Sequence, residues 1–205
     1  MNDGRYQETQ QKIVDAAGQI LQKQGQNGLS IRAIAQAVKS SPANLYEYFA
    51  NKDAILFALG AQTVAQLITT LEQVDQTLAP SEYLVELGLT YIHFVQRHSE
   101  LMKLVCQGSL SVGKNVSFPS ITSTFPPVDH STTEQVTLFT IFEEAVQRQM
   151  HSQSSSSGHD MDLREQVYAY WSLVHGYAIL CITGGVANPS SVCKTKILKQ
   201  FAATF

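Results

Sequence analysis

The sequence predicts an all-α protein. Apolar residues recur at spacings of three and four along most of the chain, and no stretch of any length alternates with the two-residue rhythm of a strand. Gly, Pro and Ser clusters cut these periodic stretches into about nine helix-length pieces.

The first piece runs from Tyr6 to Gln24, with Ile13, Ala16, Ala17, Ile20 and Leu21 as its apolar stripe, and Gly25 and Gly28 end it. Ser30 caps a short second helix whose buried face is Ile31, Ile34, Ala35 and Val38. Lys39, Ser40 and Ser41 interrupt that face. Ser41 is a good N-cap and Pro42 suits the first position of a third helix, with Leu45 and Phe49 as its stripe. From Lys52 a long helix carrying Ile55, Leu56, Leu59, Val64, Leu67, Ile68 and Leu71 is expected to run to about Leu78 and stop at Pro80. Ser81 to His98 forms the next helix and Glu100 to Gln107 a short one. Residues 109–131, rich in Ser, Pro, Thr and Gly, are expected to be a long flexible excursion, with helix resuming from Thr133 to Gln149. The tract 152–158, SQSSSSG, is a low-complexity connector without capacity for a core. Asp160 or Asp162 opens a strongly apolar helix through Thr183, Gly184 and Gly185 stop it, and Pro189 to Ala203 makes the last.

At 205 residues the chain can bury a sizeable core, and 44% hydrophobic against 15% charged residues excludes a disordered chain. The net charge of -3 excludes a broadly basic, nonspecific nucleic-acid coat. Through Leu56 the chain carries Arg5, Lys12, Lys23, Arg32, Lys39 and Lys52 against Asp3, Glu8, Asp15, Glu47 and Asp53, so the N-terminal part is slightly positive and the remainder negative. Cys106, Cys181 and Cys193 form neither an even framework nor a metal spacing and fit the reducing cytoplasm. With no charged-then-apolar leader and no apolar run of membrane-spanning length, a cytoplasmic protein without a membrane partner is expected.

The segment Ser30 to Asp53 reads as a helix-turn-helix. Its buried stripes leave Pro42, Ala43, Asn44, Tyr46, Glu47 and Tyr48 on the outer faces and N-terminal end, where a recognition helix meets base edges and phosphates. Through Ile34-Ala35, Ser41, Leu45-Tyr46, Phe49 and Lys52 it resembles the DNA-binding domain of the TetR family of bacterial transcription regulators. The resemblance implies that Tyr46 and Lys52 touch phosphates and that Arg32 reaches DNA. Asn44 suits a bidentate contact to adenine, while Glu47 either accepts from a cytosine amino group or faces solvent. The chain departs from the family at Lys39, where glycine is usual, and at Ser40, where an apolar residue is usual. A left-handed backbone at Lys39 carries a cost, unless Ser40 and Ser41 hydrogen bonds reset the turn.

A second resemblance lies in Trp171-Ser172-Leu173-Val174-His175-Gly176, with Tyr91-Ile92-His93-Phe94, Glu100-Leu101 and Leu104, which are similar to one TetR-type ligand-domain subgroup. It implies a helical body, residues 52–205, that holds a small, mostly apolar effector and dimerises through its last two helices, behind a DNA-binding head of residues 1–51. Tyr91, Phe94, His98, Met102, Cys106, Phe142, Tyr170, Trp171, Val174 and His175 combine apolar walls with polar handles suited to such a pocket, and all are also ordinary core material. His175 beside Gly176 suits a ligand contact or a hydrogen bond across helices, with Gly176 permitting close helix approach at a dimer seam.

Catalytic, metal and cofactor signatures are not evident. The histidines show no i, i+4 pair and no HExxH, and GxSxG, P-loop and dinucleotide motifs are missing. The expectation is a non-enzymatic homodimer without a cofactor that reads a pseudo-palindromic double-stranded operator, a repressor released by a small-molecule effector. The competing reading is a helical small-molecule binding or interaction protein whose head no longer reads DNA.

Overall fold

The computed structural model describes residues 3–106, 111–112, 116–117, 138–153, 162–186 and 191–203. Among them are nine helices: α1 Asp3–Gly28, α2 Ile31–Ala37, α3 Pro42–Leu45, α4 Lys52–Glu72, α5 Pro80–Arg97, α6 Ser99–Cys106, α7 Leu138–Gln153, α8 Leu163–Thr183 and α9 Ser191–Ala202. A minimal antiparallel strand pair, β1 Ser111–Val112 and β2 Val116–Ser117, sits within the stretch expected to be a loop, with Ser111 opposite Ser117 and Val112 opposite Val116. The rest of 109–131, the expected helix start at 133–137 and residues 154–158 of the serine tract lie outside the described residues.

The chain divides into two compact units, Met1–Ala65 with His98–Ser123, and Gln66–Arg97 with Thr124–Phe205. The division runs through α4 rather than ahead of it, and it places α6 in the first unit. That unit has its own core. Ile13, Val14, Ala17, Ile20 and Leu21 of α1 meet Ile34 and Ala35 of α2, Leu45 of α3, Ile55, Leu56 and Leu59 of α4, and Leu101 and Leu104 of α6. Burying each such aliphatic side chain is worth about 1.5–3 kcal/mol, so the amphipathic stripe of α1 is the main reason these short helices hold their places. The regular part of α1 ends where the glycines predict, since Gly25 has φ 65, ψ -168 inside it.

In the second unit α5 packs against α7, α8 and α9. Gly88 makes this possible: a Cβ there would lie 2.7 Å from the Tyr170 hydroxyl and 3.2 Å from both Leu198 methyls. The Tyr170 hydroxyl, fully buried, donates to the Leu84 carbonyl at 2.5 Å and so has its hydrogen bond made inside the junction. Burial pushes that phenol far above its usual pKa, so it stays a donor. Asp162 and Glu165 form a capping box at the start of α8, and Gly184, left-handed at φ 82, closes it.

Two boundaries differ from the sequence reading. α4 ends at Glu72, well before Leu78, because the Asp75 carboxylate accepts from the backbone N–H and the hydroxyl of Thr77 at 2.8 and 2.7 Å, offering the chain a turn in place of helix. α3 is a single turn, followed by bonds from the Tyr48 and Phe49 amides to the Leu45 carbonyl at 3.0 Å. By length and composition alone α4 also suffices to cross a bilayer, contrary to the expectation that no run approached that length. Its Ile55, Leu56 and Leu59 are, however, part of the first unit's core.

Candidate nucleic-acid interface and aromatic cluster

The helix pair α2–α3 is built on caps. Ser30 Oγ accepts from the Ala33 amide and Ser41 Oγ from the Asn44 amide, both at 3.1 Å, so each helix of the pair starts with one of its orphan donors satisfied. Between them the Ser40 amide donates to the Ala35 carbonyl at 2.8 Å and the Lys39 amide to the Gln36 carbonyl at 3.1 Å, the paired bonds of a Schellman termination. That motif needs left-handed backbone at the residue after the cap, and Lys39 supplies it at φ 54. The turn therefore keeps its geometry without glycine. Ser40, at the position that usually makes an apolar contact, instead accepts from Asn44 Nδ2 at 2.8 Å.

These bonds determine what the head presents. Arg32, Ser41, Pro42, Ala43, Tyr46, Glu47 and Lys52 are exposed, with Tyr46 at 56%. Lys52 opens α4 beside Asn51, whose side chain accepts from the Ala54 amide at 2.8 Å. A lysine at a capped helix N-terminus adds its charge to the positive end of the helix dipole, a combination that attracts anions. Asn44 is half-buried, with its amide already oriented by Ser40.

Tyr48, expected on an outer face, turns inward. It is half-buried, packs on the core and lies against Tyr6 with ring centroids 4.9 Å apart. Sequence reasoning missed its partners. The Tyr6 hydroxyl donates to the Glu47 carbonyl at 3.2 Å and Gln10 Nε2 to the Tyr48 carbonyl at 3.3 Å, so the first turns of α1 hold the turn that follows α3. The only hint was that Tyr6 and Gln10 are four apart and so share a helix face.

In the second unit Tyr91, Phe142, Tyr170, Trp171 and His175, all expected to line a pocket, form an aromatic cluster. Tyr91 meets Trp171 edge-on at 5.2 Å and Phe142 at 6.0 Å, and Phe142 meets Tyr170 at 5.6 Å. The His175 ring stacks on Trp171 at 5.1 Å with 13° between planes. The Tyr91 hydroxyl is hydrogen-bonded to His175 Nδ1 at 2.7 Å, a link between α5 and α8, which answers one of the two roles left open for His175. Burial holds the His175 pKa below its usual value, favouring the neutral ring, whose Nδ1 can accept the phenolic hydrogen. Phe94 and Val174 are buried in the same unit. His98, Met102 and Cys106 belong to the first unit, so the ten residues are not one assembly; Met102 is buried there, and the Cys106 side chain lies outside the described residues. Among the described residues no group of three or more His, Cys, Asp or Glu is placed to hold a metal ion.

A capped helix-turn-helix with an exposed arginine, lysine and tyrosine on its outer face has the elements from which DNA-reading heads are built. Residues 13–59 match the family described as bacterial regulatory proteins, tetR family. It is 33% identical over 64 residues to the HTH-type nicotine-responsive transcriptional repressor HdnoR of Paenarthrobacter nicotinovorans, covering 31% of this chain and 33% of that protein. It is 29% identical over 93 residues to the HTH-type transcriptional regulator UidR of Escherichia coli K12, covering 44% and 47%. The matches thus span between a third and about half of these relatives' length. The fold is shared more widely: a TetR-like transcriptional regulator from Rhodococcus sp. RHA1 superimposes with a TM-score of 0.61 at 18% identity, over 94% of this chain and 92% of that one.

Proposed function

We propose that this chain acts as a homodimeric transcriptional repressor whose head, the unit expected at residues 1–51, reads half-sites of a pseudo-palindromic operator. The observation that carries this is the exposed row formed by Arg32, the Ser41-Pro42-Ala43 helix start, Tyr46 and Lys52, displayed by a turn held in helix-turn-helix geometry despite Lys39. In this reading Tyr46 and Lys52 hold phosphates, while Arg32, Pro42, Ala43, Asn44 and Glu47 face base edges. Tyr48 supports α3 from behind. The head's small positive balance makes two-fold repetition important, because each head alone neutralises few phosphates.

The partner surface in this reading is α8 with α9. On α8, a Cβ added at Gly176 would meet nothing within 4 Å, and Leu180, one turn on, is 47% exposed. The close approach that a mid-helix glycine suggests is therefore left for a second copy. The effector is a small, mostly apolar molecule at the aromatic cluster, where the Tyr91–His175 bond is the polar handle. The nicotine-responsive repressor among the relatives supports a small organic effector. Effector binding favours a conformer with altered head spacing, so effector and operator oppose one another reciprocally.

Fluorescence anisotropy with the DNA upstream of the chain's own reading frame tests this across a salt series. Dimeric binding with a steep salt slope and at least tenfold preference over scrambled DNA is expected. Equal binding to both sequences at modest salt would favour the rival reading, a binding protein whose exposed Glu47 and weak charge mark a head that has lost DNA.

A further inference from the structure

The segment between Tyr46 and Lys52 is held from another helix. Among the described residues no backbone amide donates to the Glu47 or the Tyr48 carbonyl, and carbonyls just past a helix end need partners. Both partners come from α1, the Tyr6 hydroxyl for Glu47 and Gln10 Nε2 for Tyr48. The Tyr6 ring also lies against the Tyr48 ring, with 30° between planes.

This grip is separate from the packing of α1. Tyr6 is 42% exposed and stands outside the first unit's core, whereas α1 is anchored there by Ile13, Val14, Ala17, Ile20 and Leu21. A surface contact further along joins α1 to α4, where Gln62 accepts from Gln11 at 3.0 Å and donates to Asp15 at 3.1 Å. Two side chains one turn apart thus direct three contacts at one short segment. α3 itself has four residues, of which only Leu45 is buried, so little within it fixes its angle.

We propose that Tyr6 and Gln10 are positioning residues for DNA recognition. Without touching DNA, they fix the turn after α3, and with it the angle of α3 and the spacing of Tyr46 from Lys52. This role rests on the operator reading. Contacts to base edges depend on orientation, whereas attraction to phosphates carries no sequence information and survives small shifts. Loosening the grip therefore removes sequence preference first and general affinity last.

Fluorescence anisotropy on the full chain, with its upstream DNA and scrambled DNA across a salt series, tests this. Tyr6→Phe keeps the ring on Tyr48 and removes the hydroxyl, Gln10→Leu removes the amide, and Gln11→Ala breaks the contact to α4 as a control. The double variant of Tyr6 and Gln10 should lose about tenfold in preference for the upstream DNA, as two hydrogen bonds allow. It should bind scrambled DNA like wild type, with the salt slope and unfolding midpoint unchanged. Each single variant should lose about threefold, and the control nothing. Without DNA, the Tyr48 and Phe49 amides, which donate to the Leu45 carbonyl, should exchange faster in the double variant. If that variant loses stability, Tyr6→Phe alone decides. Preference kept, equal loss on both DNAs or unchanged exchange overturns the proposal. So does a lowered salt slope, which would put Tyr6 or Gln10 on a phosphate. Wild-type chain that binds both DNAs equally overturns the operator reading itself, and the positioning role falls with it.

Discussion

Replacing Lys39 with glycine isolates the backbone cost of the turn between α2 and α3. Lys39 holds φ 54 at the one position where the Schellman bonds require left-handed backbone. An L-residue with a side chain loses about 1–2 kcal/mol in that region. Glycine avoids this loss but gives up more chain entropy on folding, about 0.5–1 kcal/mol. The difference predicts that Lys39→Gly stabilises the head by about 0.5–1 kcal/mol. For a chain of this size that corresponds to a rise in Tm of about 1–4 °C. Thermal unfolding by circular dichroism reads the shift. Hydrogen exchange of the Ser40 amide, which donates to Ala35, localises it to the turn. Two controls separate backbone from charge. Lys39→Gln removes the charge and keeps the strain, so it should leave Tm near wild type, whereas Lys39→Val, β-branched, should lower it. A glycine variant no more stable than the glutamine variant would refute the reasoning, because the side chain's charge and not the turn's geometry would then govern stability.

The remaining expectations are briefer. Lys52→Ala should weaken operator binding about equally on all sequences and lower the salt slope by about 1 per head, read by anisotropy across salt; a sequence-selective loss would move Lys52 from phosphate to base. Gly88→Ala should destabilise the body by about 1–3 kcal/mol despite alanine's better helix propensity, because the added methyl collides with a tyrosine that is itself locked to Leu84, and urea unfolding will show it. His175 has a folded pKa depressed by burial, so the unfolded chain binds the proton more tightly. Stability should therefore fall as pH drops through the unfolded value of 6.5 and level off below the folded one. The slope should flatten in His175→Gln, and an unchanged pH profile in that variant would mean that the imidazole is not held neutral.

What the sequence made legible was local. Gly25, Ser30, the Ser41-Pro42 pair, Asp162 and Gly184 each mark a helix boundary through their own backbone preference or side-chain oxygen, and the structure ends or starts helices at each of them. Periodicity likewise located the buried stripe of α1. The end of α4 was lost because Asp75 competes for the backbone with a turn that periodicity does not register. The clamp on α3 was lost because Tyr6 and Gln10 lie some 40 residues from the carbonyls they bind. At the candidate sites, the outward face of the head could be read from its neighbours' burial, but the separation of His98, Met102 and Cys106 from the aromatic cluster could not, because periodicity does not say which unit a helix joins.

The hold of Tyr6 and Gln10 on the turn that follows α3 bears on how such a helix keeps its direction. A one-turn helix has too few internal bonds to fix its own direction. Here its aim is set by Leu45 beneath it and by main-chain carbonyls gripped from α1, and carbonyls are the same whatever side chains stand between them. Pro42 and Ala43, both exposed, are thus free to be exchanged without retilting the helix, whereas the Asn44 side chain is tied to Ser40. In the operator reading proposed above, new targets are reached by rewriting two letters on a mount that does not move, whereas loss of Tyr6 blurs recognition of every operator alike.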